Sequence, residues 1–342
     1  MRAMILDRIA PLSELPAPLA AVTWPDPAPG PGEVVLRVAA CGVCHTELDE
    51  IEGRLPLPRL PVIPGHQAVG RVEALGEGAG RFAVGDRVGA SWIHSACGAC
   101  TYCRDGRENL CPDFRGTGRD AHGGYAERMT IAEAFAIPIP DRIDDLEAAP
   151  LLCAGAIGWR ALRRARHAPG RAIGLTGFGA SAHLVLRTVL ALDPDARVFV
   201  FARDEMQRAF ALRNGAAWAG DTLDRAPRPL DAVIDTTPAW TPVLGALRSL
   251  ASGGRLVINA IRKEAADQEA LLRLDYPEHL WMEKEITSVA NVTRADVTEF
   301  LDLAARTGLR PDVRTYPLEE ANRALGDLKK GGGSGALVLR LG

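Results

Sequence analysis

The chain has no apolar run approaching the roughly 20 residues that a bilayer-spanning helix needs, so no membrane partner is expected. It also has no excess of positive charge. Its 40 Lys and Arg stand against 43 Asp and Glu, a formal charge of -3, which gives no electrostatic footprint for nucleic acid and fits a small metabolite better. The opening MRAMILDRIAPLSELPAP sets Arg2, Asp7 and Arg8 among its first apolar residues and lacks the apolar core of a secretory signal, so a cytoplasmic location is expected. At 342 residues, 47% of them apolar and 24% charged, the chain is an ordinary globular protein of a size that suggests two domains.

Its seven cysteines are an odd number and fall in clusters, a pattern that suggests metal in a compartment where thiols stay reduced. The stretch CGVCHTELDE, residues 41–50, has the CxxCH spacing of a c-type haem attachment. The same residues suit a redox dithiol, or ligands for a site completed elsewhere in the chain. Lack of an export signal weighs against haem. Further on, Cys97, Cys100, Cys103 and Cys111 form a CxxCxxC run with a fourth Cys after seven more residues. Four thiolates so close in sequence can enclose a tetrahedral Zn with no position left for substrate, so this second site is expected to be structural. An iron–sulfur cluster is the competing reading, and the long gap before Cys111 departs from ferredoxin spacing.

Residues 1–150 read as β-rich and irregular, with short runs such as EVVLRVAAC and AVGRVEALG bounded by Gly and Pro. The pattern changes near Asp144, a helix N-cap candidate. From residue 171 strands alternate with helices, which predicts a parallel sheet built from βαβ units. A last helix, VTEFLDLAARTG, and strand, GALVLRL, follow, with GGGSG at 331–335 read as a flexible bend before that strand.

The strand RAIGLTG runs into Gly177-Phe178-Gly179-Ala180-Ser181-Ala182, a GxGxxA match at a strand-to-helix junction. Gly177 permits the tight turn, Gly179 lets a pyrophosphate approach the backbone, and small Ala182 lets helix and strand pack closely. A dinucleotide site is therefore expected. The second strand, RVFVFA, ends at Ala202 and is followed by Arg203 where an NAD site usually has a carboxylate for the ribose. A guanidinium there suits a 2'-phosphate, so NADP(H) is expected to be favoured over NAD(H). The alternative is that Arg203 is merely solvated and Asp204 reaches the ribose.

GVCHTEL, PGHQAVG, the four-cysteine lobe, PLLCAGAIG and GFGASA occur in the order and spacing of the zinc-dependent alcohol dehydrogenases of the medium-chain dehydrogenase/reductase superfamily, and the chain resembles them over nearly its whole length. The resemblance implies an α/β protein with a GroES-like β-barrel catalytic domain (residues 1–151 and 291–342, the structural zinc lobe at 95–113) and a Rossmann doubly wound parallel sheet (residues 152–290). It implies two Zn ions per subunit, one catalytic on Cys44, His66 and Cys153 and one structural on Cys97, Cys100, Cys103 and Cys111. Two thiolates and an imidazole leave a fourth position for water or alcohol, which agrees with catalytic zinc chemistry. By the same resemblance Thr46 accepts the alcohol proton, Glu47 orients the histidine ligand, and His45 lies at the cofactor pyrophosphate. Ala260 and Ile261 are expected near the nicotinamide or substrate, and Trp92 in the alcohol pocket. Cys41 is expected to be a bystander.

Two residues depart from the family pattern. Gln67 stands where Glu is common beside the histidine ligand, and Asp49 where many members carry the last histidine of a proton relay. The expected activity is hydride transfer between a primary alcohol or aldehyde and NAD(P), in a homodimer or homotetramer with an edge strand of the Rossmann sheet near RLVINAI as a contact. The rivals are a polyol or aryl-alcohol dehydrogenase of the same superfamily, and a non-catalytic zinc-thiolate redox sensor that binds dinucleotide.

Overall fold

The computed structural model describes residues 1–331 and 335–341; most of the GGGSG bend, Gly332 to Ser334, lies outside the described residues. Contacts divide the chain into two compact units, residues 1–156 with 292–342, and residues 157–291. The first boundary falls five residues beyond the expected 151/152 and the second one residue beyond 290/291, so the turn that carries Cys153 belongs to the first unit.

The first unit is built on a seven-stranded sheet whose central strand, Glu33–Val43, pairs antiparallel with Ala68–Leu75, with Arg128–Ala132 and with the C-terminal strand Ala336–Arg340. Val34, Leu36, Val38 and Cys41 are all buried, together with Leu48, Ile51, Ile63, Tyr125, Met129 and Ile131 in one apolar cluster. The chain's last strand thus completes the sheet begun near its start. Lys329, on the helix Ala321–Lys329 before it, is bound to Glu52, whose carboxylate also takes the Leu12 N–H and pairs with Arg54.

The second unit holds a six-stranded, all-parallel sheet in the spatial order Trp218–Gly220, Val198–Phe201, Ile173–Thr176, Leu230–Asp235, Leu250–Ile258, Glu285–Ser288. The first strand of the unit, Ile173–Thr176, lies in the middle, so the chain winds outward in both directions from it. Ligands bind such sheets where the order reverses, beyond the carboxyl ends of the strands. The strand RLVINAI lies inside the sheet, and the edge beside it is Glu285–Ser288. That strand has one polar or solvated residue after another, E-I-T-S, which is why its sequence carries little strand signal.

Candidate metal centres and dinucleotide loop

Cys44 ends the strand Glu33–Val43 and begins the helix His45–Ile51, so the sheet fixes its position and the helix start fixes its direction. Glu47, three residues on and fully buried, serves two partners at once. One carboxylate oxygen takes the Cys44 N–H at 2.8 Å, and the other takes the Nδ1 proton of His66 at 2.5 Å. A carboxylate can only accept here, so Nδ1 carries a proton and Nε2 is the ring nitrogen turned to the thiols.

His66 lies in the turn that enters the strand Ala68–Leu75. That turn needs Gly65. Its φ is +99°, and a Cβ would meet the Tyr125 ring at 2.4 Å and the Cys41 Sγ at 2.9 Å. Cys153 sits in a π-helical turn, Leu151–Gly155, that follows the Asp144-capped helix Asp145–Pro150. Single π turns recur at functional sites because they re-aim a side chain within a helix. Here the turn brings the Cys153 Sγ to 3.3 Å from His66 Nε2.

The donor atoms of Cys44, His66 and Cys153 all lie within 4.8 Å of one another. A hydrogen bond from Cys153 holds the Cys44 thiol well below its ordinary pKa, and the same bond with burial pushes Cys153 up. Three donors this close form a set that a divalent cation fits, two soft sulfurs and one imidazole making three of the four positions of a tetrahedral ion. Trp92, buried, meets the His66 ring edge-on with centroids 5.0 Å apart. The Thr46 hydroxyl is 3.6 Å from the Cys44 Sγ, and His45 is exposed at the start of the helix. Cys41 is buried in the sheet outside this donor set, its thiol pushed up by burial.

Asp49 is buried one turn along the helix and paired with Arg54 at 2.7 Å. Arg54 follows the end of the helix, and no spacing rule in the sequence pointed to it. Gln67 is buried against Gly42, where a Cβ would lie 2.9 Å from its amide carbon.

Cys97, Cys100, Cys103 and Cys111 also place their sulfurs within 4.8 Å of one another. The short helix Thr101–Arg104 returns Cys103 toward Cys97, and Cys97 accepts the Cys100 N–H at 3.3 Å. N–H groups of Ala99 and Cys100 bring the exposed Cys97 thiol down to about 6, while burial pushes Cys103 up to about 12. Between them in the lobe, buried Glu108 accepts both the backbone N–H and the Nε of Arg294, at 2.9 and 3.0 Å.

In the second unit Gly177 has φ +74°, and a Cβ there would meet Thr236 and Thr237 at 3.0 Å. Gly179 caps the helix Ala180–Leu192, Ala182 is fully buried, and Ser181 and Ala180 are half-buried in the first turn. Phe178 packs edge-on against Phe210 at 5.7 Å and donates its N–H to Gln207. At the end of Val198–Phe201, Ala202 is buried and Arg203 exposed. Asp204 spends its carboxylate on the Met206 N–H at 2.7 Å as a helix cap. Arg208, not singled out in the sequence, donates to the carbonyls of Ala202 and Arg203 at 2.7 and 2.9 Å. Ala260 is half-buried and Ile261 exposed in the loop after Leu250–Ile258.

A family model for the alcohol dehydrogenase GroES-like domain matches residues 30–141, and one for zinc-binding dehydrogenases matches residues 196–339. A probable alcohol dehydrogenase, AdhA, of Mycobacterium tuberculosis is 47% identical, covering 94% of this chain and 92% of the relative. An alcohol dehydrogenase of Geobacillus stearothermophilus is 34% identical, covering 91% and 92%. The solved structure of a cinnamyl alcohol dehydrogenase from Sorghum bicolor superposes with a TM-score of 0.85 at 26% identity, covering 99% and 97%. With this likeness covering more than nine-tenths of the chain and reaching into both units, the chain belongs to the zinc-dependent alcohol dehydrogenases of the medium-chain dehydrogenase/reductase superfamily, oxidoreductases that act on alcohols.

Proposed function

We propose that the protein interconverts a primary alcohol and its aldehyde with NADP(H) in preference to NAD(H), using one catalytic and one structural Zn per subunit. The observation that carries this reading is the convergence of Cys44, His66 and Cys153 with Glu47 behind the imidazole. Zinc, when bound there, supplies a Lewis acid that makes an alcohol hydroxyl easier to deprotonate, and nicotinamide supplies the hydride acceptor. Glu47 holds His66 in the tautomer that offers Nε2. Thr46 takes the alcohol proton on its hydroxyl, which can accept one proton while passing on another. Asp49 is committed to Arg54, so the path onward from Thr46 runs through other groups. Trp92 beside His66 narrows the space for substrate, which favours an unbranched carbinol carbon.

The dinucleotide reading rests on the Gly177 turn and the helix start at Gly179, with Ala260 and Ile261 of the same unit as further cofactor contacts. Preference for NADP(H) rests on two arginines, 203 and 208, at the end of the second strand, with the neighbouring carboxylate of Asp204 used as a cap. The four cysteines at 97–111 would hold the structural Zn. The open edge Glu285–Ser288, with exposed Trp281 and Ile286 beside or within it, supports a homodimer or homotetramer. Free thiols in both sites favour the cytoplasm.

The test is a panel of primary, secondary and aromatic alcohols and their carbonyl products, run in both directions with both cofactors on zinc-loaded protein. Highest kcat/KM on a primary alcohol with NADP is expected. Equal or better use of NAD would overturn the cofactor preference, and failure on every alcohol would favour a redox-sensing dinucleotide binder.

A further inference from the structure

Asp235 ends the strand Leu230–Asp235 with its carboxylate fully buried, and the ammonium of Lys263, about one-tenth exposed, is paired with it. One oxygen of Asp235 accepts the Thr176 hydroxyl at 2.5 Å, the Thr237 N–H at 3.1 Å and the Thr237 hydroxyl at 2.7 Å. The other takes Lys263. Lys263 also donates to the carbonyls of Thr237 and Ala239, at 2.9 and 2.8 Å. An ammonium has three N–H donors, and all three are used inside the protein.

Three more bonds repeat the pattern. The Glu264 N–H donates to the Pro238 carbonyl at 2.7 Å, and Asp267 accepts the Trp240 and Thr241 N–H groups at 2.9 and 2.7 Å. The loop after Leu250–Ile258 is therefore fastened along its length to the loop after Leu230–Asp235. Both loops leave the carboxyl ends of adjacent strands, on the side of Ile173–Thr176 away from Arg203. Asp235 joins this fastening to the strand that feeds the Gly177 turn, through Thr176.

A buried ion pair adds little net stability over a packed apolar pair, because desolvation offsets the attraction. What this pair does supply is a fixed geometry for two loops that carry no regular structure of their own at this point. We propose that Lys263 is a positioning residue that sets affinity for the nicotinamide half of the cofactor, by fastening the Asn259–Ile261 segment to the loop at Thr236–Ala239. Lys263 has no donor left for a phosphate, so it acts through the backbone it holds. This inference rests on the dinucleotide reading given above.

The experiment uses the full-length, zinc-loaded chain and two variants, Lys263→Met and the double variant Asp235→Asn with Lys263→Met. The double variant leaves no buried charge unpaired and keeps the test meaningful where the single variant folds poorly. Binding of NADPH is followed by fluorescence, and binding of adenosine 2',5'-bisphosphate, the adenine half alone, by competition. The double variant is expected to bind NADPH on the order of tenfold more weakly, with the adenine half bound within about twofold of the unaltered chain and zinc content unchanged. NADPH binding unchanged in the double variant overturns the proposal, as does equal weakening of both ligands, which marks a purely structural pair. An unaltered chain that binds neither these ligands nor NADH overturns the dinucleotide reading itself.

Discussion

His66 and Cys153 are 87 residues apart in the chain, yet His66 Nε2 and the Cys153 Sγ are 3.3 Å apart, whereas Cys97 and Cys111, at 3.5 Å, are separated by only 14 residues. The first site is gathered by a strand end, a glycine turn and a π turn, and its three donor residues are buried or half-buried. The second is written in one stretch with an exposed cysteine at its entrance. A site assembled from distant segments depends on the whole first unit being folded, and it can leave one position open because the fold, rather than a fourth ligand, holds the other three. A site made from one stretch has the reverse logic, since four ligands organise a loop that has little core of its own.

The contrast can be sharpened at residues that touch the first site without belonging to its donor set. The largest effect is expected for Thr46→Ala, a fall in kcat on the order of 10²-fold with zinc content unchanged, read from steady-state kinetics. Glu47→Gln comes next. It keeps the shape but lets the imidazole choose the other tautomer, and should cost about 10-fold to 100-fold in zinc affinity or turnover, checked by competition with a chromogenic chelator. Asp49→Asn is expected to change kcat by less than about threefold and to move the pH profile little, since Arg54 keeps its bond to Glu52. A larger kcat loss at Asp49 than at Thr46 would return the relay to Asp49.

The smallest effect concerns the frame behind the first site. Burial alone would raise Glu52, but hydrogen bonds from Lys329, the Leu12 N–H and Arg54 outweigh it and bring the carboxyl to about 2. A carboxyl lowered on folding stabilises fully above its ordinary value of 4.5, and that contribution is lost as pH falls toward about 2. Lys329→Met should therefore lower the thermal midpoint at pH 7 by about 1–3 °C, with the difference from the unaltered chain shrinking as pH falls toward about 2, followed by circular dichroism.

Much of the second unit could be read from its residues because inner strands such as Ile173–Thr176 and Val198–Phe201 are short apolar runs and the turn after the first is marked by Gly177, whose φ of +74° suits glycine. The edge strand Glu285–Ser288 could not, because a solvated edge has no apolar alternation to show. Cys44, His66 and Cys153 stood out through their resemblance to the family motifs GVCHTEL, PGHQAVG and PLLCAGAIG. The π turn at Cys153 did not, since Pro150 and two glycines made the segment look like a broken helix. Arg54 and Lys263 were invisible for a common reason. Each acts through a partner chosen by tertiary packing, Asp49 across a helix end and Asp235 across two strands, and a lone basic residue in a loop reads as a solvated charge.

The division of labour between the two cysteine sites is tested most directly by measuring zinc content and alcohol turnover on one set of preparations, comparing the unaltered chain with Cys44→Ser and Cys103→Ser. The expected result is two zinc ions in the unaltered chain and one in each variant. Cys44→Ser should lose turnover by at least about 10³-fold while still binding cofactor, and Cys103→Ser should keep turnover within about tenfold at low temperature but unfold several degrees earlier. Turnover that survives in Cys44→Ser and vanishes in a folded Cys103→Ser would contradict the assignment of chemistry to the first site.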